Sequence, residues 1–359
     1  MTKTINWHYP RTDTTATILG LLESGSTHAL TIFAKRRMGK TELLIEDIWP
    51  AAVKLGFEVR YASFWSNRSQ PQKALLDAIG KKTQSIDEVK ARIGLPGNYL
   101  ETTASVRHPQ SADDLDQLSA VFRTLLKSKK PILLMLDEIQ TLASDSGEYD
   151  DFVAALRTIL DVNKNRIKVI FTGSSQEGLM KMFKRQKAPL FNFSHQFELP
   201  QLGAAFVKHM TDAFQQASGR TLNPSASLRV FNRCHYVPAK FHDLLRSMLI
   251  NGRVDIERAF EDHQFESGEI YQYQQVWEGL PILSQELLKM IARDGEGLYQ
   301  SERLDELKSI MGVDELSTAT VQNHVDRLRR ASIIESLRRG QYTFAEAAFA
   351  EFVRGRASK

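Results

Sequence analysis

The sequence predicts an α/β fold with a parallel sheet over about the first 200 residues, followed by a helical segment and a smaller mixed segment. Two observations lead to this fold class. Up to about Pro200, short apolar stretches of strand length alternate with amphipathic helical stretches, which is the pattern of βαβ units. Beyond Pro200 the strand-like stretches stop, and helical patterns continue to about Phe265.

The first segment contains five candidate strands and the helices between them. Strands are predicted at residues 29–33, 58–64, 132–137, 168–172 and 196–199. Helices are predicted at residues 40–55, 71–79, 112–127 and 149–162. The stretch 81–110 is polar, has Pro96 and Gly97 at its centre, and is interpreted as an insertion or long loop.

The second half of the chain is predicted to form two further domains. Helices are predicted at residues 204–217 and 238–249, and then, from about Gly279, at 284–293, 302–310 and 318–331. Two short strand-like pieces follow, at 333–336 and 342–344. Three helices followed by a β-hairpin is the plan of a winged helix-turn-helix. We therefore predict domains at 1–200, 201–278 and 279–359.

Composition and charge restrict the class of protein. Of the 359 residues, 42% are hydrophobic and 25% charged, as in ordinary folded proteins. No apolar stretch approaches the roughly 20 residues that span a bilayer, and the first residues lack an apolar core followed by a cleavage site. The single cysteine, Cys234, excludes an internal disulfide and a zinc cage. We therefore expect a cytoplasmic protein without a membrane segment. The net charge of +4 is compatible with nucleic-acid binding but does not indicate it.

The most informative motif lies directly after the first predicted strand and leads into a helix. It matches the Walker A pattern with alanine in place of the first glycine. In such a loop, backbone N–H groups at a helix N-terminus surround the β-phosphate of ATP. Lys40 is predicted to bridge the β- and γ-phosphates, and the Thr41 hydroxyl to bind Mg²⁺. The residues predicted to bind the nucleotide here are Ala34, Lys35, Arg36, Arg37, Met38, Gly39, Lys40, Thr41 and Glu42.

A second motif follows about a hundred residues later, where an apolar strand ends in two acids, Asp137 and Glu138. In P-loop ATPases with an extra strand between the two motifs, the first acid holds Mg²⁺ and the second polarises the attacking water. Asp137 is therefore predicted to bind the metal, and Glu138 to act as general base. The sequence thus predicts an α/β P-loop NTPase with an additional strand between the two Walker strands.

The next strand is predicted to end beside the phosphates. It is followed by Gly173, Ser174 and Ser175, and a polar side chain at this strand tip can sense the γ-phosphate. Ser174 or Thr172 is the candidate. The alternative is a glycine–serine turn with only a structural role.

With these motifs, the chain resembles the AAA+/STAND superfamily of ATPases, in the branch called archaeal-type ATPases. The resemblance rests on the loop after Phe33, on Leu136 to Gln140, and on Ile170 to Ser175, with weaker similarity at 197–202 and 342–349. It implies a nucleotide-binding core, a helical lid, a C-terminal winged helix and nucleotide-dependent switching, in some members with formation of homo-oligomers.

The resemblance also implies contacts whose positions are harder to assign. A proline and a basic residue at a lid helix reach the nucleotide in such proteins, and Pro238 and Lys240 match them. The segment containing Tyr9, Pro10 and Arg11 corresponds to the region that packs the adenine. An arginine finger is not assigned; the arginines near the expected surface are Arg157, Arg166 and Arg185.

In a winged helix, the third helix enters the major groove of DNA and the hairpin touches phosphates. The residues that would do so are Thr320, Gln322, Asn323, Arg327, Arg338 and Arg339. Residues 281–359 hold equal numbers of basic and acidic side chains, which makes this domain less basic than strong DNA-binding domains.

Three functions follow from these expectations. The first is an ATP- and Mg²⁺-dependent switch whose lid and winged helix change their engagement with DNA or with a protein partner encoded nearby. The second is a DNA-binding ATPase of the origin-recognition or transposition-helper type. The third is a nucleotide-binding scaffold with low turnover that assembles a separately encoded effector.

Overall fold

The computed structural model describes residues 5–67, 69–81, 84–93, 112–143, 147–184, 188–266, 268–338 and 340–357. The chain divides into two compact units, each described by itself below. The first is His8–Pro200, and the second combines Met1–Trp7 with Gln201–Lys359. No helix in the described part of the chain is long and apolar enough to cross a membrane.

The first unit is built on a five-stranded parallel sheet with the order β2-β3-β4-β1-β5. The strand β4 lies between β1 and β3, so the predicted additional strand between the two Walker strands is confirmed. The strands are β1 (Ala29–Phe33), β2 (Glu58–Ser63), β3 (Ile132–Asp137), β4 (Ile167–Gly173) and β5 (His195–Glu198).

Both faces of this sheet are covered, which explains why its central strands are apolar throughout. In β3, all six residues are buried. Because successive side chains of a strand point to opposite faces, Leu134 and Leu136 join one hydrophobic core while Leu133 and Met135 join the other.

Helices and short helical turns connect the strands. The helix after β1 is continuous from Lys40 to Lys54 but passes through a π-helical stretch, Leu43–Ile48, between α2 and α3. Short 3-10 segments follow β2 (Phe64–Asn67) and β3 (Ile139–Leu142). The helices are α1 (Thr12–Glu23), α2 (Lys40–Glu42), α3 (Trp49–Lys54), α4 (Pro71–Gly80), α5 (Ile86–Ile93), α6 (Ala112–Leu125), α7 (Asp150–Val162) and α8 (Gln176–Phe183).

Residues 81–110 were interpreted as an insertion or long loop, and a loop is wrong for the first part of this stretch, because α5 lies there. The side chain of Gln84 also accepts a hydrogen bond from the main-chain N–H of Tyr61 at 2.7 Å and donates to its carbonyl at 2.9 Å. This amide satisfies the N–H and the carbonyl of Tyr61 on the open edge of β2, which is an edge strand. Residues 94–110 of the predicted loop lie outside the described residues.

The second unit is mostly helical and contains a two-stranded antiparallel hairpin, β6 with β7. The hairpin and the last helices share one hydrophobic core that runs from Trp277 to Val353. The final helix, α17, has no counterpart among the predicted elements. The predicted boundary at residues 278 and 279 stays a prediction. The elements are α9 (Ala204–Ser218), α10 (Pro224–Arg233), α11 (Pro238–Asn251), α12 (Ile256–Glu266), α13 (Glu269–Glu278), α14 (Ile282–Arg293), α15 (Ser301–Met311), α16 (Thr318–Arg330), β6 (Ile334–Arg338), β7 (Gln341–Phe344) and α17 (Ala347–Ala357).

Candidate functional site

The loop between β1 and α2 is held in an unusual backbone conformation. Arg37 and Gly39 are left-handed, with φ of 65° and 82°. A Cβ at Gly39 would lie 3.3 Å from the guanidinium group of Arg11, so glycine is favoured there for space as well as for backbone geometry. Ala34, at the first glycine of the Walker A pattern, does not have a positive φ, so alanine causes no left-handed strain there. Left-handed residues inside a turn can direct successive N–H groups towards one concave surface that binds anions.

Lys40, the first residue of α2, is buried and curls back over this loop. Its side chain is 4% exposed. The Nζ atom donates to the carbonyl of Ala34 at 2.7 Å and to that of Lys35 at 3.1 Å, and lies 3.9 Å from Oε1 of Glu138. Burial lowers the pKa of Lys40, although the charges of Glu138 and Asp137 oppose that shift.

Asp137, the last residue of β3, is a buried carboxylate surrounded by hydroxyl groups. Its Oδ2 accepts hydrogen bonds from the hydroxyls of Thr41 at 2.7 Å and Tyr61 at 2.9 Å, and its Oδ1 accepts one from Thr172. Burial raises the pKa of Asp137, and the charge of Glu138 adds to this, while the three hydrogen bonds oppose it. A negative charge here is therefore costly unless a cation or protons offset it.

The pair Thr41 and Asp137 fits a magnesium ion. Mg²⁺ prefers oxygen ligands and is usually bound through one or two protein oxygens together with phosphates and water. The two side-chain oxygens lie 2.7 Å apart, and one belongs to a buried carboxylate whose charge a cation would offset. No group of three or more His, Cys, Asp and Glu side chains that could hold a metal occurs among the described residues.

Glu138 lies beside Asp137 but points to a different set of partners. Its backbone is left-handed, with φ of 58°. Its Oε2 accepts hydrogen bonds from the Ser174 hydroxyl at 2.7 Å and from the side-chain amide of Gln140. The backbone N–H of Glu138 donates to the Thr172 hydroxyl at 3.3 Å. The hydroxyls of the two predicted sensor candidates thus donate to different carboxylates: Thr172 donates to that of Asp137, and Ser174 donates to that of Glu138.

The N-terminal segment is fastened to the loop and to the helix behind it. Arg11, 8% exposed, donates to the carbonyl of Met38 at 2.7 Å and to that of Pro200 at 3.3 Å. His8 is hydrogen-bonded to Glu42 at 2.7 Å and to Asp47 at 2.8 Å. Burial lowers the pKa of His8, but the two carboxylates outweigh burial and raise it to about 9. The segment expected to pack the adenine is therefore bound to the loop of residues 34–41 and to the helix that follows it.

The arginines considered as fingers are engaged in contacts elsewhere. Arg157 donates to the carbonyl of Pro189 at 2.8 Å, and Arg166 donates to that of Ser128. Arg185 lies outside the described residues.

Inside the loop itself, the guanidinium of Arg36 lies over the Trp65 ring, 4.8 Å from its centroid. This is within the range of a cation–π contact. Trp65 belongs to the 3-10 segment that follows β2.

The second unit carries the remaining predicted site residues. Pro238 is the first residue of α11, and Lys240 lies in its first turn. The Nζ atom of Lys240 is 3.3 Å from the Glu346 carboxylate, which also accepts a hydrogen bond from Tyr273 at 2.8 Å. The lysine predicted to reach the nucleotide thus has an acidic neighbour in its own unit.

The helix α16 and the hairpin each carry exposed polar residues. Thr320, Asn323 and Arg327 are exposed, Gln322 is half-buried, and Arg338 at the end of β6 is exposed. The helix begins at a proper cap, because the Ser317 hydroxyl accepts a hydrogen bond from the N–H of Thr320 at 3.1 Å. Arg339 lies outside the described residues.

Two residues near the predicted acids were not predicted from the sequence: Tyr61 contacts Asp137, and Gln140 contacts Glu138. A signal existed only for Gln140, which stands two residues after Glu138 in the motif that carries the family resemblance. Tyr61 reads as an ordinary strand residue. Arg11 was predicted only as part of the segment that packs the adenine, and its contact with Met38 was not predicted.

Comparison with known proteins defines the fold. Neither a protein-family model nor a curated protein matches the chain. Among solved structures, the Walker-type ATPase PABY2304 of Pyrococcus abyssi is similar at 15% identity, with a TM-score of 0.62, over 96% of this chain and 95% of that chain. The ADP form of the ORC2 protein of Aeropyrum pernix is similar at 16% identity, with a TM-score of 0.55, over 96% and 93%. At such low identities the likeness shows the fold alone. The predicted α/β P-loop NTPase fold is therefore confirmed.

Proposed function

We propose that this chain binds ATP with Mg²⁺ at the loop of residues 34–41, hydrolyses it, and uses the nucleotide state as a switch of the AAA+/STAND type. The observation that carries the proposal is the convergence of Lys40, Thr41, Asp137 and Glu138 at the ends of β1 and β3. Buried charged groups with shifted pKa values, such as Lys40 and Asp137, are typical of functional sites.

The side chains divide the work of hydrolysis. Lys40 donates hydrogen bonds to oxygens of the β- and γ-phosphates and offsets their charge. Thr41 and Asp137 would hold magnesium, which would supply positive charge to stabilise the phosphate oxygens. Glu138 accepts a proton from the water whose oxygen attacks the γ-phosphorus, as the bond to the β–γ bridging oxygen breaks. Ser174 lies beside Glu138, in position to respond to the γ-phosphate.

The test of this site replaces Glu138 rather than a residue of the loop. Glu138→Gln removes the base but keeps a side chain of the same size that can still meet Ser174 and Gln140. We expect ATP affinity to stay within about threefold of wild type, while steady-state turnover falls at least about 100-fold, the scale of a lost general base. Full hydrolysis by this variant would reject the role of Glu138.

The second unit would convert the nucleotide state into an output. We propose that α9 to α13 act as a lid in which Pro238 and Lys240 meet the bound nucleotide, and that α14 to α17 with the hairpin form a winged helix. A protein partner encoded nearby, or a second copy of this chain, would engage the unit in one nucleotide state. If purified enzyme binds ATP but turns it over less than about once per hour, the low-turnover scaffold becomes the better description.

DNA is a second candidate for what the second unit binds, favoured by the exposed polar residues of α16 and the hairpin. The affinity for DNA falls as salt rises, and each phosphate contact that is lost makes the slope of log affinity against log salt less steep by about 1. We expect Arg327→Ala and Arg338→Ala each to reduce this slope in a gel-shift salt series on duplex DNA. The matched control is Arg246→Ala, which removes an exposed arginine of α11. Equal slopes for all three variants and wild type would exclude DNA as the output at this surface.

A further inference from the structure

Gln140 lies next to the proposed base and has no role in the function described above. It is the second residue of the 3-10 segment Ile139–Leu142 that follows β3. Its backbone is fixed at both ends of this turn, because Thr141 N–H donates to the Glu138 carbonyl at 3.0 Å and Ala143 N–H donates to the Gln140 carbonyl at 2.9 Å. The turn therefore fixes the backbone of Gln140 close to Glu138.

The side-chain amide of Gln140 is aimed at the carboxylate of Glu138. Its Nε2 donates to Glu138 Oε2 and lies 3.3 Å from the Ser174 hydroxyl oxygen. Of the two ends of an amide, only the NH₂ end can donate to a carboxylate. Within the described residues the other end, Oε1, is buried without a hydrogen-bond partner. An unmet buried acceptor is unfavourable, so the amide is held here at a cost to stability, as is common at functional sites.

Two glycines make room for this side chain. A Cβ at Gly173 would lie 2.6 Å from Oε1 of Gln140, and a Cβ at Gly178 would lie 2.6 Å from its Cβ. Both distances are too short for any other residue without displacement of a neighbour. Neither glycine has a positive φ, so space rather than backbone conformation explains the absence of a side chain at both positions.

The carboxylate of Glu138 needs such a support. The left-handed backbone of Glu138 takes its side chain out of the regular alternation of β3. Two donors on Oε2, Gln140 and Ser174, fix one oxygen and leave Oε1 on the side of Lys40, 3.9 Å from its ammonium group. A base that is restrained to one orientation loses less entropy when it meets its water.

We propose that Gln140 is a positioning residue for catalysis: its amide holds Oε2 of Glu138 so that Oε1 faces the attacking water. This inference rests on the proposed role of Glu138 as general base. It assigns to Gln140 an effect on the chemical step and none on nucleotide binding.

The test is Gln140→Met, which keeps the length and volume of the side chain but cannot donate a hydrogen bond. We expect kcat for ATP hydrolysis to fall about tenfold, a typical loss for a mispositioned catalytic group. The Kd for ATP should stay close to wild type, and the melting temperature should not fall. Gly178→Ala is the second variant, because its new methyl group would displace Gln140, and it should lower kcat in the same way.

The outcomes separate this inference from the proposed function. If wild-type protein hydrolyses ATP and Glu138→Gln stops it, but Gln140→Met keeps kcat within twofold of wild type or raises it, the positioning role is wrong. A parallel loss of ATP affinity and melting temperature in Gln140→Met would reduce Gln140 to a packing role and also overturn the inference. If wild-type protein does not bind ATP, the proposed function itself fails.

Discussion

Replacement of Lys40 by methionine isolates the contribution of one ammonium group to nucleotide binding. Methionine keeps the volume and flexibility of the buried stem and removes only the charge and its donors. The ammonium group donates to the carbonyls of Ala34 and Lys35 in this structure, so it is already aimed along the loop. When phosphates bind, the same donors can turn to charged oxygens, and each hydrogen bond of this kind contributes about 1.5–3 kcal/mol.

Two such bonds, less the loss of the two carbonyl contacts, leave a net effect of about 3 kcal/mol on ATP binding. That corresponds to a rise in Kd of roughly 150-fold. The assay is displacement of a fluorescent ATP analogue by ATP in the presence of Mg²⁺, with the melting temperature as a check on folding.

The matched control is Lys54→Met, at the exposed end of the same helical run. It changes the net charge equally but lies away from the loop, so its Kd should remain within about twofold of wild type. If Lys40→Met binds ATP within threefold of wild type in a folded protein, the ammonium group of Lys40 does not contribute to ATP binding.

Three further predictions concern neighbouring groups. Asp137→Asn should abolish the Mg²⁺ dependence of ATP binding, yet raise the free energy of unfolding at pH 7, because it removes a buried charge whose pKa is raised; a less stable variant in urea unfolding would contradict this. The pKa of His8 is raised to about 9 in the folded protein. Its pairing therefore adds to the free energy of unfolding in full below its ordinary pKa of 6.5, and this contribution is lost as the pH rises through 9. Because His8 is partly exposed, we expect wild type to lose only about 1–2 kcal/mol more than His8→Asn between pH 6 and 10, and equal losses would refute the pairing. Finally, ATP should change Trp65 fluorescence as Arg36 leaves its ring, whereas in Arg36→Ala the ATP-induced change should be much smaller; an equal change in both proteins would exclude that contact as its source.

The sheet of the first unit was largely predictable from the sequence. Strands buried on both faces are apolar along their whole length, and β3 reads this way from Ile132 until Asp137 ends it. The strand-to-helix position of Lys40 followed from the Walker A pattern. The helix α5 was not predicted, although Ile86, Val89 and Ile93 recur at helical spacing, because these three residues lie within an otherwise polar stretch.

The contacts within the site were less predictable because they join residues distant in sequence. Tyr61 reaches Asp137 only because β2 and β3 are paired in a parallel register that sets Ser63 opposite Asp137. The neighbourhood of Gln140 likewise depends on a glycine at position 178, far along the chain, whose purpose is visible only in three dimensions. Sequence patterns predict which residue types a phosphate site needs, whereas the support of those residues depends on tertiary packing.

If backbone N–H groups of the loop bind the phosphates, hydrogen–deuterium exchange of the peptide covering residues 34–41 must respond to ATP. We predict that MgATP slows exchange of these amides at least about tenfold, because amides that bind phosphate are withdrawn from solvent. Adenosine, which lacks phosphates, should leave their exchange unchanged. Identical exchange of this peptide with saturating MgATP and without nucleotide would show that the loop does not bind the phosphates.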